Sequence, residues 1–103
     1  MDITIKRGIS AEVVATYLKG FGISEPKAKE VPALFSDRTS DLAFGAFADG
    51  KIIGILLGRR INMTIWIHLI HSVGPVGGTA RNFLMRDLKY YAKQFSFNLK
   101  FVT

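Results

Sequence analysis

Gly74, Gly77, Gly78 and Ala80 stand between an apolar, β-branched run and an amphipathic one, and that placement can hold an anion. Backbone N–H groups at the start of a helix have no partner inside it and lie at the positive end of the helix dipole. Where the residues around them are small, a pyrophosphate can approach closely enough to accept their hydrogen bonds. Arg81, in the first turn of the expected helix, is unfavourable for the dipole, and an anion beside it offsets that cost. A glycine-rich turn before a helix also serves, on its own, as a tightly packed strand exit.

Several other chemistries are excluded by the residues present. No Gly-Lys-Ser/Thr follows the glycines, so the turn is not a nucleotide P-loop, and it lacks the G-x-G-x-x-G of a dinucleotide fingerprint. The chain has no cysteine and two histidines, so it has no disulfide framework or thiolate metal site and only a poor imidazole ligand set. The first half, residues 1–58, balances seven Lys/Arg with seven Asp/Glu, whereas residues 59–103 set seven Lys/Arg against Asp87 alone. The whole formal charge of +6 therefore lies in the second half, which points to an anionic partner or to a solvated basic face. Nucleic acid is a weak candidate, because the basic residues are few and no RNA- or DNA-binding signature accompanies them. The amino terminus carries no basic region followed by an apolar run, and every apolar stretch is broken well before about 18 residues, so a cytoplasmic protein with no membrane span is expected.

The elements that must position the glycine turn follow from periodicity. At 103 residues the chain is expected to be one domain with one core. Ile3 and Ile5 alternate with polar residues as in a half-buried strand. Ser10 is a helix N-cap ahead of Val13, Val14, Tyr17, Leu18 and Phe21. A short irregular helix is expected from Ser24-Glu25-Pro26 towards Leu34 and Phe35, interrupted by Pro32. Asp49-Gly50 is the dipeptide of a type I′ hairpin turn between Leu42–Ala48 and Lys51–Ile61. Met63–Val73 reads as a central strand, with Ile65, Ile67 and Leu69 on one face and Trp66, His68 and Ile70 on the other. Ala80, Leu84, Leu88, Tyr91 and Phe95 form the apolar stripe of a helix whose opposite side carries Asn82, Arg86, Lys89 and Lys93. Phe97, Leu99 and Phe101 mark a last strand, which gives the order β-α-α-β-β-β-α-β.

This order, with Ile70 followed after four residues by Pro75-Val76-Gly77-Gly78-Thr79-Ala80, resembles the GNAT superfamily of N-acyltransferases. In that family the fourth strand ends in a small aliphatic residue, and a Q/R-x-x-G-x-G/A signature opens the pyrophosphate-binding helix. The likeness runs from Asp2 to Val102. It implies an α+β fold of α/β/α layers around a mixed, mostly antiparallel sheet, without the helix and two strands that close a full-length member. It also implies an acyl-CoA cofactor, acetyl-CoA foremost. Ile70, Ser72 and Val73 would hold the thioester and pantetheine. Pro75, Val76, Gly77, Gly78, Thr79 and Ala80 would form the pyrophosphate loop, with Arg81 and Arg86 meeting the remaining phosphate charge.

Three positions depart from the family's pattern. Pro75 replaces the Gln or Arg and removes one backbone N–H from the loop. The family's Glu base maps to about Thr64, and the usual Tyr that protonates the departing thiolate belongs to strands beyond Thr103. Acyl transfer to an amine needs a proton acceptor, for which His68 and His71 are the candidates, each having a structural role in the sheet as its alternative. Trp66, Tyr90 and Tyr91 are candidates for an acceptor site or for core positions. Arg59 and Arg60 either bind phosphate or solvate a strand edge. The function expected is acetyl transfer to a small-molecule or protein amine, with a non-catalytic GNAT-like interaction module as the alternative. A homodimer through the edge of the last strand is expected as well.

Overall fold

Asp49 and Gly50 take φ values of 52° and 76°, as a two-residue hairpin turn with two left-handed positions demands. The computed structural model describes residues 2–20, 41–74 and 77–102. Along the chain these form β1 (Ile3–Arg7), α1 (Ala11–Gly20), β2 (Asp41–Ala48), β3 (Lys51–Ile61), β4 (Thr64–Ser72), α2 (Gly77–Gln94) and β5 (Asn98–Phe101). The short helix expected around residues 24–35 lies outside the described residues. The five strands make one sheet in the order β1-β2-β3-β4-β5. Its neighbours are antiparallel as far as β4, and β5 runs parallel to β4.

Each face of the sheet is covered by a helix whose apolar stripe faces it. The Ser10 Oγ accepts from the Val13 N–H at 3.2 Å and starts α1. Val14, Tyr17 and Leu18 then pack on Ala43, Ile55 and Leu57. Val13 was expected in that stripe, but it lies one position off the buried face and is 38% exposed. On the other face Ala80, Leu84, Leu88 and Ala92 of α2 recur every four residues against Phe44, Ala46, Leu56, Ile65 and Ile67. Each fully buried leucine there contributes about 2 kcal/mol of apolar transfer. Phe95, assigned to this stripe from the sequence, falls just past the helix end and is half exposed. The helix stops because Ser96 turns left-handed at φ 60°. Its N–H donates to Lys93 and that of Phe97 to Ala92, which caps the last carbonyls. No described helix is long and apolar enough to cross a membrane.

The sequence reading of β4 needs one correction. Leu57 pairs with Leu69 and Gly58 with Ile67, so His68 is an extra residue with no partner on β3. This β-bulge shifts the alternation beyond it. Ile65 and Ile67 pack in the α2-side core, but Leu69 joins the α1-side cluster and Ile70 the α2 side. Leu69 and Ile70 have thus exchanged the faces that strict alternation assigns them.

Candidate functional site

The site arises where β4 loses its second neighbour. β3 accompanies β4 from Thr64 to Ser72, whereas β5 accompanies it only from Thr64 to Ile67. The Val102 N–H, donating to the Ile67 carbonyl at 3.0 Å, is the last link between β4 and β5. Beyond it, no described strand lies beside β4 on that side. The Val73 N–H donates to the Ile53 carbonyl at 2.9 Å. Alternation along the strand then turns the backbone groups of His71 towards β3 and those of Ile70 the opposite way, towards the open edge. An extended ligand bearing amides can pair with that edge as an added strand does.

The open edge leads into the glycine turn. Gly74 sits at φ 85°, a conformation that suits glycine. Pro75 and Val76 lie outside the described residues. The helix begins at Gly77, so the N–H groups of Gly77, Gly78 and Thr79 have no acceptor one turn back within it. Among the described residues, no group outside the helix accepts from Gly78 or Thr79. Gly78 and Thr79 are exposed while Ala80 is fully buried on the sheet. Among the described residues, a side chain built at Gly78 would meet no atom within 4 Å.

Charge around the helix start is positive. Its first turn holds no acid and leads straight into the exposed Arg81, while Arg86, Lys89 and Lys93 are exposed further along α2. Asp87, the one acid of residues 59–103, is engaged by Arg7 of β1 at 2.9 Å. That hydrogen bond raises the Arg7 pKa above its ordinary value. Both partners are partly exposed, so the pair itself is worth under about 1 kcal/mol.

Gly54 lets β3, the end of β4 and the start of α2 close together. A Cβ there would come within 3.2 Å of the His71 carbonyl oxygen and the Ser72 Cβ, and 3.3 Å from Leu84 Cδ1. Gly54→Val is expected to cost about 2 kcal/mol through overpacking, measurable as a lower urea midpoint.

The two histidines are on β4 but separate. His68 is the half-buried bulge residue, and three residues of strand, on the order of 10 Å, divide it from His71. The His71 Nδ1 lies 2.9 Å from the Tyr17 hydroxyl of α1, with the rings edge-on at a centroid distance of 5.6 Å. Burial pushes the Tyr17 hydroxyl from its ordinary 10.0 up to about 12. An unfolded chain ionises this group first. Its contribution to stability is therefore complete below pH 10 and is lost as the pH rises towards about 12. Unfolding titrations across that window should show wild type losing on the order of 2 kcal/mol more than Tyr17→Phe.

The aromatic candidates do not converge. Trp66 points away from the α2-side core and lies under Lys100, whose Nζ is 5.5 Å from the ring centroid. Tyr91 packs on the other face among Phe44, Phe95 and Phe97, and Tyr90 is 67% exposed. These three residues cannot line one acceptor site. Arg59 pairs in register with Trp66 and Arg60 with Ile65. That end of β4 is on the order of 20 Å from the glycine turn, too far to share a phosphate with it. Arg60 instead covers the Phe97 ring at 5.4 Å.

The sequence reading did not anticipate the bulge or the pairing of Tyr17 with His71. The adjacent apolar residues Leu69 and Ile70, within an otherwise alternating strand, were the available sign of the bulge.

At the sequence level no family model and no curated protein matches the chain. Solved structures do match. A ribosomal-protein-alanine N-acetyltransferase from Brucella melitensis biovar Abortus 2308 superposes over 99% of this chain and 80% of its own, at a TM-score of 0.75 and 18% identity. An aminoglycoside acetyltransferase from an uncultured soil metagenomic sample, in complex with sisomicin, matches over 98% and 77% of the two chains, at a TM-score of 0.71 and 13% identity. The PaiA N-acetyltransferase of Thermoplasma acidophilum, in complex with coenzyme A, matches over 94% and 76%, at a TM-score of 0.63 and 16% identity. The chain has the fold of the GNAT acetyltransferases.

Proposed function

We propose that this chain binds acyl-CoA and transfers the acetyl group of acetyl-CoA to a primary amine. One observation carries the reading: the open edge of β4 runs towards a helix start where Gly78 and Thr79 are exposed and no described residue outside the helix accepts from their amides. The residues present fit such a cofactor. The backbone of Ile70, followed by Ser72 and Val73, would align the pantetheine and the thioester. The amides of Gly77, Gly78, Thr79 and Ala80 would hold the pyrophosphate, with Arg81 and Arg86 supplying positive charge. Pro75 and Val76 complete the proposed loop. The cofactor's thioester supplies the activated acyl group, and the chain contributes alignment and a proton acceptor. His68 and His71 are the proposed acceptors of the amine's proton.

Three of the similar structures bear on this reading. Two are named for protein or aminoglycoside acetylation, and a third contains coenzyme A. A small-molecule or protein amine is the proposed acceptor here, and the cytoplasm the proposed setting. A second copy is proposed to pair with the β5 edge, where Phe101 and Val102 are about half exposed. Light scattering after size exclusion should show a dimer, and a strict monomer would exclude it.

Calorimetric titration with acetyl-CoA tests the main reading. Binding in the micromolar range is expected. No heat at millimolar ligand would overturn it and leave the fold as a non-catalytic interaction module.

A further inference from the structure

β1 forms one margin of the sheet, and β2 is its only described neighbour. The Gly8 N–H donates to the Ala43 carbonyl at 2.7 Å. Alternation back along β1 turns the backbone groups of Lys6 and Thr4 towards β2 and those of Ile3, Ile5 and Arg7 outwards. No described group pairs with these outward amides and carbonyls. Beside them, between β1 and α2, lies a groove of about 230 Å³ lined by Ile5, Phe83, Arg86, Asp87 and Tyr90. Ile5 and Phe83 give it an apolar wall, and Tyr90 stands at its rim, 67% exposed.

Charge selects what can pair there. Lys6 and Arg7 follow Ile5 along the strand and are exposed, and Arg86 adds a third cation at the groove. Asp87, the one acid lining it, is already engaged by two nitrogens of Arg7, and a guanidinium has further N–H groups to offer. A strand added antiparallel to β1 places its residue opposite Ile5 on the same face of the sheet, with the side chain at the groove. The residues opposite Lys6 and Arg7 then come one and two positions earlier in the added chain. In a second copy of β1 centred on Ile5, those two places hold Thr4 and Ile3, which leave both cations unanswered.

We propose that the outer edge of β1 binds an extended segment of a partner protein in which two acidic residues immediately precede a large apolar one. The segment's backbone pairs with Ile3, Ile5 and Arg7, its apolar side chain fills the groove beside Phe83 and Tyr90, and its two carboxylates meet Lys6 and Arg7. This edge is separated from β4 by β2 and β3, about 14 Å of sheet, so the proposal stands apart from the cofactor reading.

The test is titration of the 15N-labelled full chain with an end-capped peptide, Thr-Val-Glu-Glu-Leu-Val-Thr, and with its Lys-Lys counterpart, followed through the amide signals. The acidic peptide should give saturable shifts at the Ile3, Ile5 and Arg7 amides and along α2 from Phe83 to Tyr90. Exchanging both glutamates for lysines sets like charges opposite Lys6 and Arg7 and should weaken binding about tenfold or more. Lys6→Glu should narrow the preference between the two peptides, and Tyr90→Ala should weaken binding of the acidic one several-fold. Both side chains are exposed, so the fold tolerates either change. Equal binding of the two peptides, shifts confined to β5, or no shift at millimolar peptide overturns the proposal. So do β1 amides that shift with protein concentration alone, which would mean that a second copy occupies this edge.

Discussion

Gly78→Asp should make the protein more stable and weaken its binding of coenzyme A about a hundredfold. A side chain at Gly78 meets no atom within 4 Å and the residue has no left-handed φ, so aspartate fits without strain. Replacing glycine in a helix and adding an acid to its first turn together contribute about 1 kcal/mol. For a domain of this size that raises Tm by roughly 4–8 °C. The same carboxylate occupies the space proposed for the diphosphate and competes for the Gly78 and Thr79 amides. Two charge-assisted hydrogen bonds at about 1.5 kcal/mol each amount to roughly a hundredfold loss of affinity. Thermal melts and calorimetry on one preparation read both effects. A folded Gly78→Asp protein that binds coenzyme A like wild type would place the diphosphate elsewhere.

Leu84→Ala should produce the larger loss of stability. Leu84 is fully buried, and its Cδ1 lies beside Gly54, where α2 meets β3 and the end of β4. Truncation removes apolar burial and leaves a cavity that neighbouring strands can only partly fill, at a cost of about 3 kcal/mol. That is a large fraction of a stability of roughly 5–15 kcal/mol, and it lowers Tm by roughly 12–24 °C. Ala80 and Leu84 also anchor the first turns of α2, so coenzyme A affinity should weaken several-fold at temperatures where the variant remains folded. A cost below about 1 kcal/mol in urea unfolding would mean that α2 is not seated on the sheet through this residue.

Elements whose signals are local were legible in the sequence. The Asp49-Gly50 turn needs two left-handed residues, and its dipeptide says so directly; β3 has the limits expected of it. The stripe Ala80, Leu84, Leu88 places α2, and the glycines ahead of it place its start. The resemblance to the GNAT family supplied the layered architecture, which the structural matches bear out. Features that depend on two strands at once were hidden. The His68 bulge is a mismatch between β3 and β4, and no single-strand period reports it. Tyr17 and His71 are 54 positions apart, so their contact exists only once α1 is laid across the sheet. Ser96 holds the left-handed position usually given to glycine, so the end of α2 carried no punctuation.

A crystal structure of the complex with coenzyme A would decide most directly whether this turn is a cofactor cradle. Diphosphate oxygens should accept from the main-chain nitrogens of Gly78 and Thr79, with a pantetheine amide bonded to Ile70. Coenzyme A seated elsewhere, or those nitrogens already satisfied by the protein itself, would contradict the account.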